Sequence, residues 1–230
     1  MRKKTLIIGA GQIGKSLNNV LCKTYDTILI DKSDTPIKYR FEAMHVCFPY
    51  FGGFESEVKR YRNLYKPELT IIHSTVPVGT SKKCEATHSP VRGIHPNLES
   101  GIKTFIKFVG GKDADDVAEY FRRAGLRVQI CRKSETTELA KILSTTRYGI
   151  DIEVCKETER LCDRYNVPFS EVYTLWTETY NNGYQKLNHP EYTRPTLQPI
   201  QKKIGGHCVE PNLKLIKTKL TQWIQNKKNN

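Results

Sequence analysis

Paired cysteines are the first thing this sequence lacks. Its seven cysteines are an odd number, scattered with no CxxC spacing and no histidine-rich partners. That pattern argues against a disulfide framework and against a structural zinc site, so no metal is expected. A reducing, cytoplasmic setting fits it. No stretch approaches the ~18 apolar residues that a bilayer span needs, and no membrane partner is expected. Met1-Arg2-Lys3-Lys4 ahead of Thr5-Leu6-Ile7-Ile8 has the charge order of a secretory signal. The apolar run is too short for one, and a glycine cluster follows it at once. Internal repeats and low-complexity tracts are absent as well. The 230 residues, 38% of them hydrophobic, suffice for one large domain or two small ones.

Acidic residues are in short supply, with 24 Asp and Glu against 37 Lys and Arg and a formal charge of +13. Such a field attracts polyanions and steers anionic ligands. The basic residues are spread along the chain, and only Lys214 to Lys228 forms a concentration. A solvated basic surface around an anionic small-molecule substrate is therefore favoured over a nucleic-acid partner.

What is present begins with a βαβ pattern. Thr5 to Ile8 is a short buried-strand run, followed by glycines at 9, 11 and 14. Ile13, Leu17, Val20 and Leu21 then recur at helical spacing, and Thr27 to Ile30 is a second strand ending at Asp31. Further strands are expected at 46–48, 69–73, 91–94, 105–109 and 126–131, with helices over 55–65 and 113–124. This alternation predicts an α/β, Rossmann-like, mostly parallel sheet over residues 1–133. From Ser134 the character changes. A small all-helical domain is expected over 134–230, built on a long central helix from Glu135 to about Tyr165. A second helix runs to Tyr180, a long polar loop covers 181–206, and a final helix spans 213–225.

The glycine cluster has a physical logic. Gly9 allows the tight turn, Gly11 lets the backbone approach a pyrophosphate, and Gly14 lets the helix pack closely on the sheet. With Gln12 and Ile13 these residues open a helix whose free N–H groups and dipole suit phosphates. A carboxylate at Asp31 accepts bonds from ribose hydroxyls and repels a 2′-phosphate, so NAD is the expected cofactor. Thr75, in Ser74-Thr75-Val76-Pro77-Val78-Gly79-Thr80, leaves a strand at the end where such sheets bind ligands. A plain Pro-Gly turn is its alternative.

Glu138 and Lys141 stand three apart on the long helix, as a surface ion pair or as site residues. Lys141 aimed at a nicotinamide ring would polarise a substrate oxygen. Cys208 follows Gly205-Gly206-His207 and is expected just before a helix, where backbone N–H groups favour a thiolate. A thiolate there attacks an aldehyde to give a thiohemiacetal, which loses hydride to become a thioester. Cys155 and Cys162, seven apart on a helix, read as buried hydrophobes. His95 and Glu99 follow a predicted strand and are candidates to border the site. Tyr184 and Arg194 offer a ring for stacking and a guanidinium for an anion, unless their loop folds on its own aromatics.

The order of four motifs resembles the UDP-glucose/GDP-mannose dehydrogenases: Gly9–Gly14, Ser74–Thr80, Glu138-Leu139-Ala140-Lys141 and Gly205-Gly206-His207-Cys208. The resemblance implies an NAD-binding domain followed by a helical dimerisation domain. The family's C-terminal nucleotide-sugar-binding domain is expected to be lacking. It further implies Lys141 as catalytic lysine, Cys208 as thiol nucleophile, Thr75 as the motif threonine and Glu99 as the active-site-loop glutamate, one position out of register with Gly101. The family places an asparagine four residues after the lysine and an aspartate four after the cysteine. This chain has Thr145 and Asn212 there, which sets a single oxidation, the reverse reduction or a related substrate beside the full alcohol-to-acid sequence.

The expected function is thus an NAD-dependent oxidoreductase acting on a hydroxyl of an anionic, sugar-nucleotide-like substrate. The long helix offers a surface for a homodimer. The alternatives are a small hydroxy-acid dehydrogenase or reductase with Cys208 idle, and a non-catalytic NAD-binding regulatory protein.

Overall fold

Strand β1 (Lys4–Ile8) is apolar toward both faces of its sheet, and this decides the layering. Ile7 packs into one core with Leu17, Leu21, Ile71, Val117 and Phe121, while Leu6 and Ile8 pack into another with Phe41, Met44, Phe54, Val58 and Ile72. Alternation along a strand with both sets buried means helices cover both faces. The computed structural model describes residues 2–31, 37–93, 97–199 and 206–227, with the side chains of 206–208 and 227 outside that description.

The chain divides into two compact units, Met1–Ile142 and Leu143–Asn230. In the first, β1 is followed by α1 (Gln12–Leu21), β2 (Asp26–Ile30), β3 (Ala43–Val46), α2 (Phe54–Tyr65) and β4 (Leu69–Ile72). Then come α3 (Thr80–Lys83), β5 (Thr87–His88), α4 (Leu98–Thr104), β6 (Lys107–Gly110), α5 (Ala114–Arg123) and β7 (Val128–Cys131). The strands lie in the order β2-β1-β3-β4-β5-β6-β7. All neighbours pair in parallel except β5 with β6. This is the Rossmann-like, mostly parallel sheet that the alternation predicts. α5 shows why a helix forms: Val117, Ala118, Tyr120 and Phe121 are buried at helical spacing, Asp115 and Asp116 sit in its first turn, and Arg122 and Arg123 in its last.

Three elements differ from expectation. Of the strand expected at 91–94, residues 91–93 are not strand and residue 94 lies outside the described residues; the strand in this region is β5, two residues at Thr87–His88. Pro90 follows within two residues and has no N–H to continue a ladder. The segment expected as a loop from 181 remains helical through Lys186 in α7 (Trp176–Lys186), and a 3-10 turn follows at Pro190–Tyr192. No proline interrupts 176–186, and Tyr180 and Tyr184 pack on each other one turn apart, 4.7 Å between ring centres. The single C-terminal helix is two, α8 (Gly206–Leu213) and α9 (Lys219–Lys227). Thr218 caps the second, its hydroxyl accepting from Thr221 N at 3.1 Å.

The long helix α6 (Ser134–Tyr165) contains the division between the units. In the second unit Ile152, Val209, Leu213 and Ile224 form a small core. A Cβ on Gly149 would stand 2.9 Å from Val209, so the one glycine inside α6 admits α8. Cys155 and Cys162 are buried.

Candidate functional site

Strand β1 has β2 on one side and β3 on the other, which makes its carboxyl end the point where strand order reverses. Ligands of open parallel sheets bind at that point. The glycine cluster stands there. Gly9 has φ +105°, and a Cβ on it would lie 2.8 Å from Phe48 N, so only glycine fits the turn. A Cβ on Gly14 would meet Gly9 O at 1.9 Å, which is how tightly the helix seats against the turn. A Cβ on Gly11, by contrast, meets nothing within 4 Å, and Gly11 is exposed. That open space lies over the N-terminus of α1, whose first turn, opened by Gln12 and Ile13, carries no acidic residue. Unpaired amides at a helix start with open space above them are the kind of place that takes an anion such as a phosphate. Asp31 directly follows β2, the neighbouring strand, and is exposed.

Thr75 leaves the carboxyl end of β4, two strands from β1. Its segment is tied to α6. Glu138 is fully buried, and its two carboxylate oxygens accept from Gly79 N at 2.6 Å and Ser81 N at 2.8 Å. The surface ion pair with Lys141 is thereby corrected, because Glu138 faces inward onto the start of α3. Lys141 is half-buried, and its ammonium donates to Val91 O at 2.9 Å, just beyond β5. The Gly9–Gly14 turn, the Thr75 segment and Lys141 therefore gather at the carboxyl edge of the parallel strands.

Glu99 stands beside α1. It lies in the first turn of α4, paired with Lys103 at 2.5 Å and 3.4 Å from Asn19 Nδ2. Asn19 is two turns into α1, about 12 Å along the axis from Gly11. Lys103 holds the Glu99 carboxyl below its usual range. His95 lies outside the described residues.

In the second unit, Asn212 Nδ2 donates to Thr145 Oγ1 at 3.4 Å, which joins two candidate residues 67 positions apart. Cys208 is the third residue of α8, inside a helix rather than ahead of one, and its side chain lies outside the description. It precedes Asn212 by one helical turn. Tyr184 and Arg194 share a hairpin. The Arg194 guanidinium lies 3.9 Å from the Tyr180 ring centre and donates to its hydroxyl at 2.9 Å, while Tyr184 packs between Tyr180 and Tyr192.

The structure also shows a buried polar chain that the sequence reading passed over. His73 Nδ1 faces Ser89 O at 2.7 Å and so carries the proton, leaving Nε2 to accept from His45 Nδ1 at 2.8 Å. His45 Nε2 then accepts from Tyr120 OH at 3.1 Å, and Tyr120 accepts from Thr5 Oγ1 at 2.8 Å. Lys107 donates to the same Ser89 carbonyl at 3.2 Å. The signal available was register: His45 and Thr5 share the inward face of their strands with Ala43 and Ile7.

Among the described residues no group of three or more His, Cys, Asp or Glu could hold a metal ion, and no helix is long and apolar enough to cross a membrane.

No family model matches the sequence, and no curated protein matches it. Solved structures do. UDP-D-ManNAc dehydrogenase from Pyrococcus horikoshii superposes with TM-score 0.77 at 16% identity, over 98% of this chain and 68% of its own. The fold is the one these dehydrogenases share. The 3-hydroxyisobutyrate dehydrogenase of Mycobacterium tuberculosis, solved with L-serine, gives TM-score 0.69 at 12% identity over 98% and 92% of the two chains. Psf3 in complex with NADP+ and 2-OPP gives 0.61 at 12% identity over 98% and 93%. UDP-sugar dehydrogenases recur among the neighbours. What is common at these identities is the Rossmann-like sheet followed by a helical region.

Proposed function

We propose that this chain is a nicotinamide-dinucleotide-dependent dehydrogenase acting on a hydroxyl-bearing carbon of an anionic substrate. The observation that carries this reading is the open space at Gly11 over the start of α1, at the strand-order reversal, with Lys141 at the same sheet edge. Similar structures named as sugar-nucleotide and hydroxy-acid dehydrogenases, and another, Psf3, solved with NADP+, support it.

The amides at the start of α1 would hold the pyrophosphate, and Gly11 would let it approach. Asp31 would take the ribose hydroxyls and disfavour a 2′-phosphate, which makes NAD the better fit. A nicotinamide ring held at this edge would supply the hydride acceptor. Lys141 would polarise the substrate oxygen and hold or release its proton, and Thr75 would hydrogen-bond cofactor or substrate. Cys208 is the proposed thiol nucleophile for a second oxidation, and a sugar-nucleotide-like compound the proposed substrate. A second reading, a small hydroxy-acid dehydrogenase with Cys208 idle, is favoured by Thr145 and Asn212, whose mutual contact stands where the resembled family has an asparagine and an aspartate.

The test is a screen of nucleotide sugars, sugar phosphates and hydroxy acids for NAD reduction, read by the absorbance of reduced nicotinamide. Turnover on an anionic hydroxyl compound is expected. In Cys208→Ser the first oxidation should persist and acid formation should be lost. Full turnover by that variant would favour the second reading, and no turnover on any class would contradict both.

A further inference from the structure

Residues 74–80 leave β4 and run into α3, and the first turns of α6 hold this segment at both ends. At its start, the Ser74 hydroxyl donates to Phe48 O at 2.5 Å, and the Ser74 carbonyl faces His88 Nε2 at 3.1 Å. His88 Nδ1 lies 2.8 Å from Thr137 Oγ1, which also lies 2.9 Å from Ser134 O and shares its one hydroxyl hydrogen between the two. Burial keeps this imidazole neutral, with its pKa pushed down to about 3. At the far end, Glu138 takes the amides of Gly79 and Ser81. Thr137 and Glu138 are consecutive. Lys141 follows them by four and three residues, one turn further along the same side of the helix.

The arrangement at α3 is unusual for a cap. α3 has four residues and no side-chain hydrogen bond from its N-cap, Gly79. Such a short turn has little stability of its own. A local Ser, Thr or Asp ordinarily supplies the cap. Here a fully buried carboxylate does so from 57 and 59 positions away. A buried carboxylate is costly unless paired, and this one is satisfied by backbone amides at a helix start.

We propose that Glu138 is a positioning residue, which fixes the Thr75 segment and Lys141 in one frame, with His88 and Thr137 completing the bracket. This rests on the dehydrogenase reading of the same edge. Glu138→Gln keeps the size but turns an NH2 group toward one of the two amides. Glu138→Asp keeps the charge but shortens the reach. Glu135→Gln, in the first turn of α6, is the control.

Two quantities are measured on each full-length variant: NADH affinity by fluorescence titration, and the pH profile of Lys141 acetylation by mass spectrometry. Thermal unfolding is followed in parallel. Glu138→Gln should unfold cooperatively, bind NADH about tenfold more weakly and show a displaced Lys141 profile. Glu138→Asp should fall between it and the wild type, and Glu135→Gln should match the wild type. Wild-type affinity and an unchanged Lys141 profile in Glu138→Gln would overturn the proposal. So would loss of the folded state in both Glu138 variants, which would mark a residue that only holds the fold. If the wild type itself takes no NADH, the dehydrogenase reading fails, and the Lys141 profile of Glu138→Gln then decides the bracket alone.

Discussion

Lys107→Met is expected to raise stability by about 1–3 kcal/mol at neutral pH, as buried charges replaced by apolar groups of similar volume commonly do. Lys107 is 5% exposed and lies inside the sheet-helix core of the first unit. Its partners are the Ser89 carbonyl, the Phe121 ring 4.9 Å away and His73 Nδ1 at 3.5 Å. His73 Nδ1 would still satisfy that carbonyl in the variant. Burial pushes the Lys107 amine down to about 7 from its ordinary 10.5. Between pH 7 and 10.5 the unfolded chain therefore holds a proton that the folded chain has released, and stability rises with pH through that window.

The buried histidines extend the trend downward. Burial lowers His45 and His88 to about 3, and holds His73 well below the ordinary 6.5. Each is neutral when folded and takes a proton when unfolded below pH 6.5, so stability falls as pH drops. At about 1.4 kcal/mol per pH unit for each imidazole, His45, His73 and His88 together give about 4 kcal/mol per unit. Protonation of His73 also sets its Nε2–H against the N–H of His45 Nδ1, and protonation of His45 removes the acceptor that Tyr120 OH uses. Against the 5–15 kcal/mol that is roughly typical of a domain, acid unfolding should set in above about pH 4. Urea titrations of wild type and Lys107→Met across pH 5–9 check both statements. A stability that is flat over this range, or a less stable Lys107→Met, would contradict them.

The glycine turn gives the second large contrast. Gly14→Ala places a methyl 1.9 Å from Gly9 O, a backbone atom that cannot turn aside. It should destabilise by about 3 kcal/mol or more. Gly11→Ala meets nothing within 4 Å, and its φ of −72° suits alanine. Its unfolding free energy should stay within about 1 kcal/mol of wild type, yet NADH affinity should drop at least about tenfold, because the methyl occupies the space proposed for the pyrophosphate. Urea unfolding and NADH titration of the two variants separate the roles.

Much of this was legible because it is local. The βαβ unit reads directly from Thr5–Ile8, the glycine spacing and Thr27–Ile30, since strand period, helix period and turn chemistry agree there. Gly14 followed from the same logic. Glu138 was visible only as a neighbour of Lys141, because its partners Gly79 and Ser81 lie more than fifty positions away and are backbone amides, which leave no mark in sequence. The His45–His73 pair was lost for a similar reason: each histidine alone looks like an ordinary strand residue, and only β3–β4 pairing brings them together. The strand expected at 91–94 failed because a run containing Val91 was weighed without Pro90. The helix over Tyr180–Tyr184 was missed because asparagine and glycine suggest a loop, while the packed tyrosines hold it helical.

The most direct measurement is titration of the wild-type protein with NADH and, separately, NADPH, followed by fluorescence of the reduced ring. The account predicts saturable NADH binding, at least about tenfold tighter than NADPH because Asp31 is proposed to take the ribose hydroxyls and repel a 2′-phosphate, and its weakening in Gly11→Ala. Absence of saturable binding by either dinucleotide would contradict it.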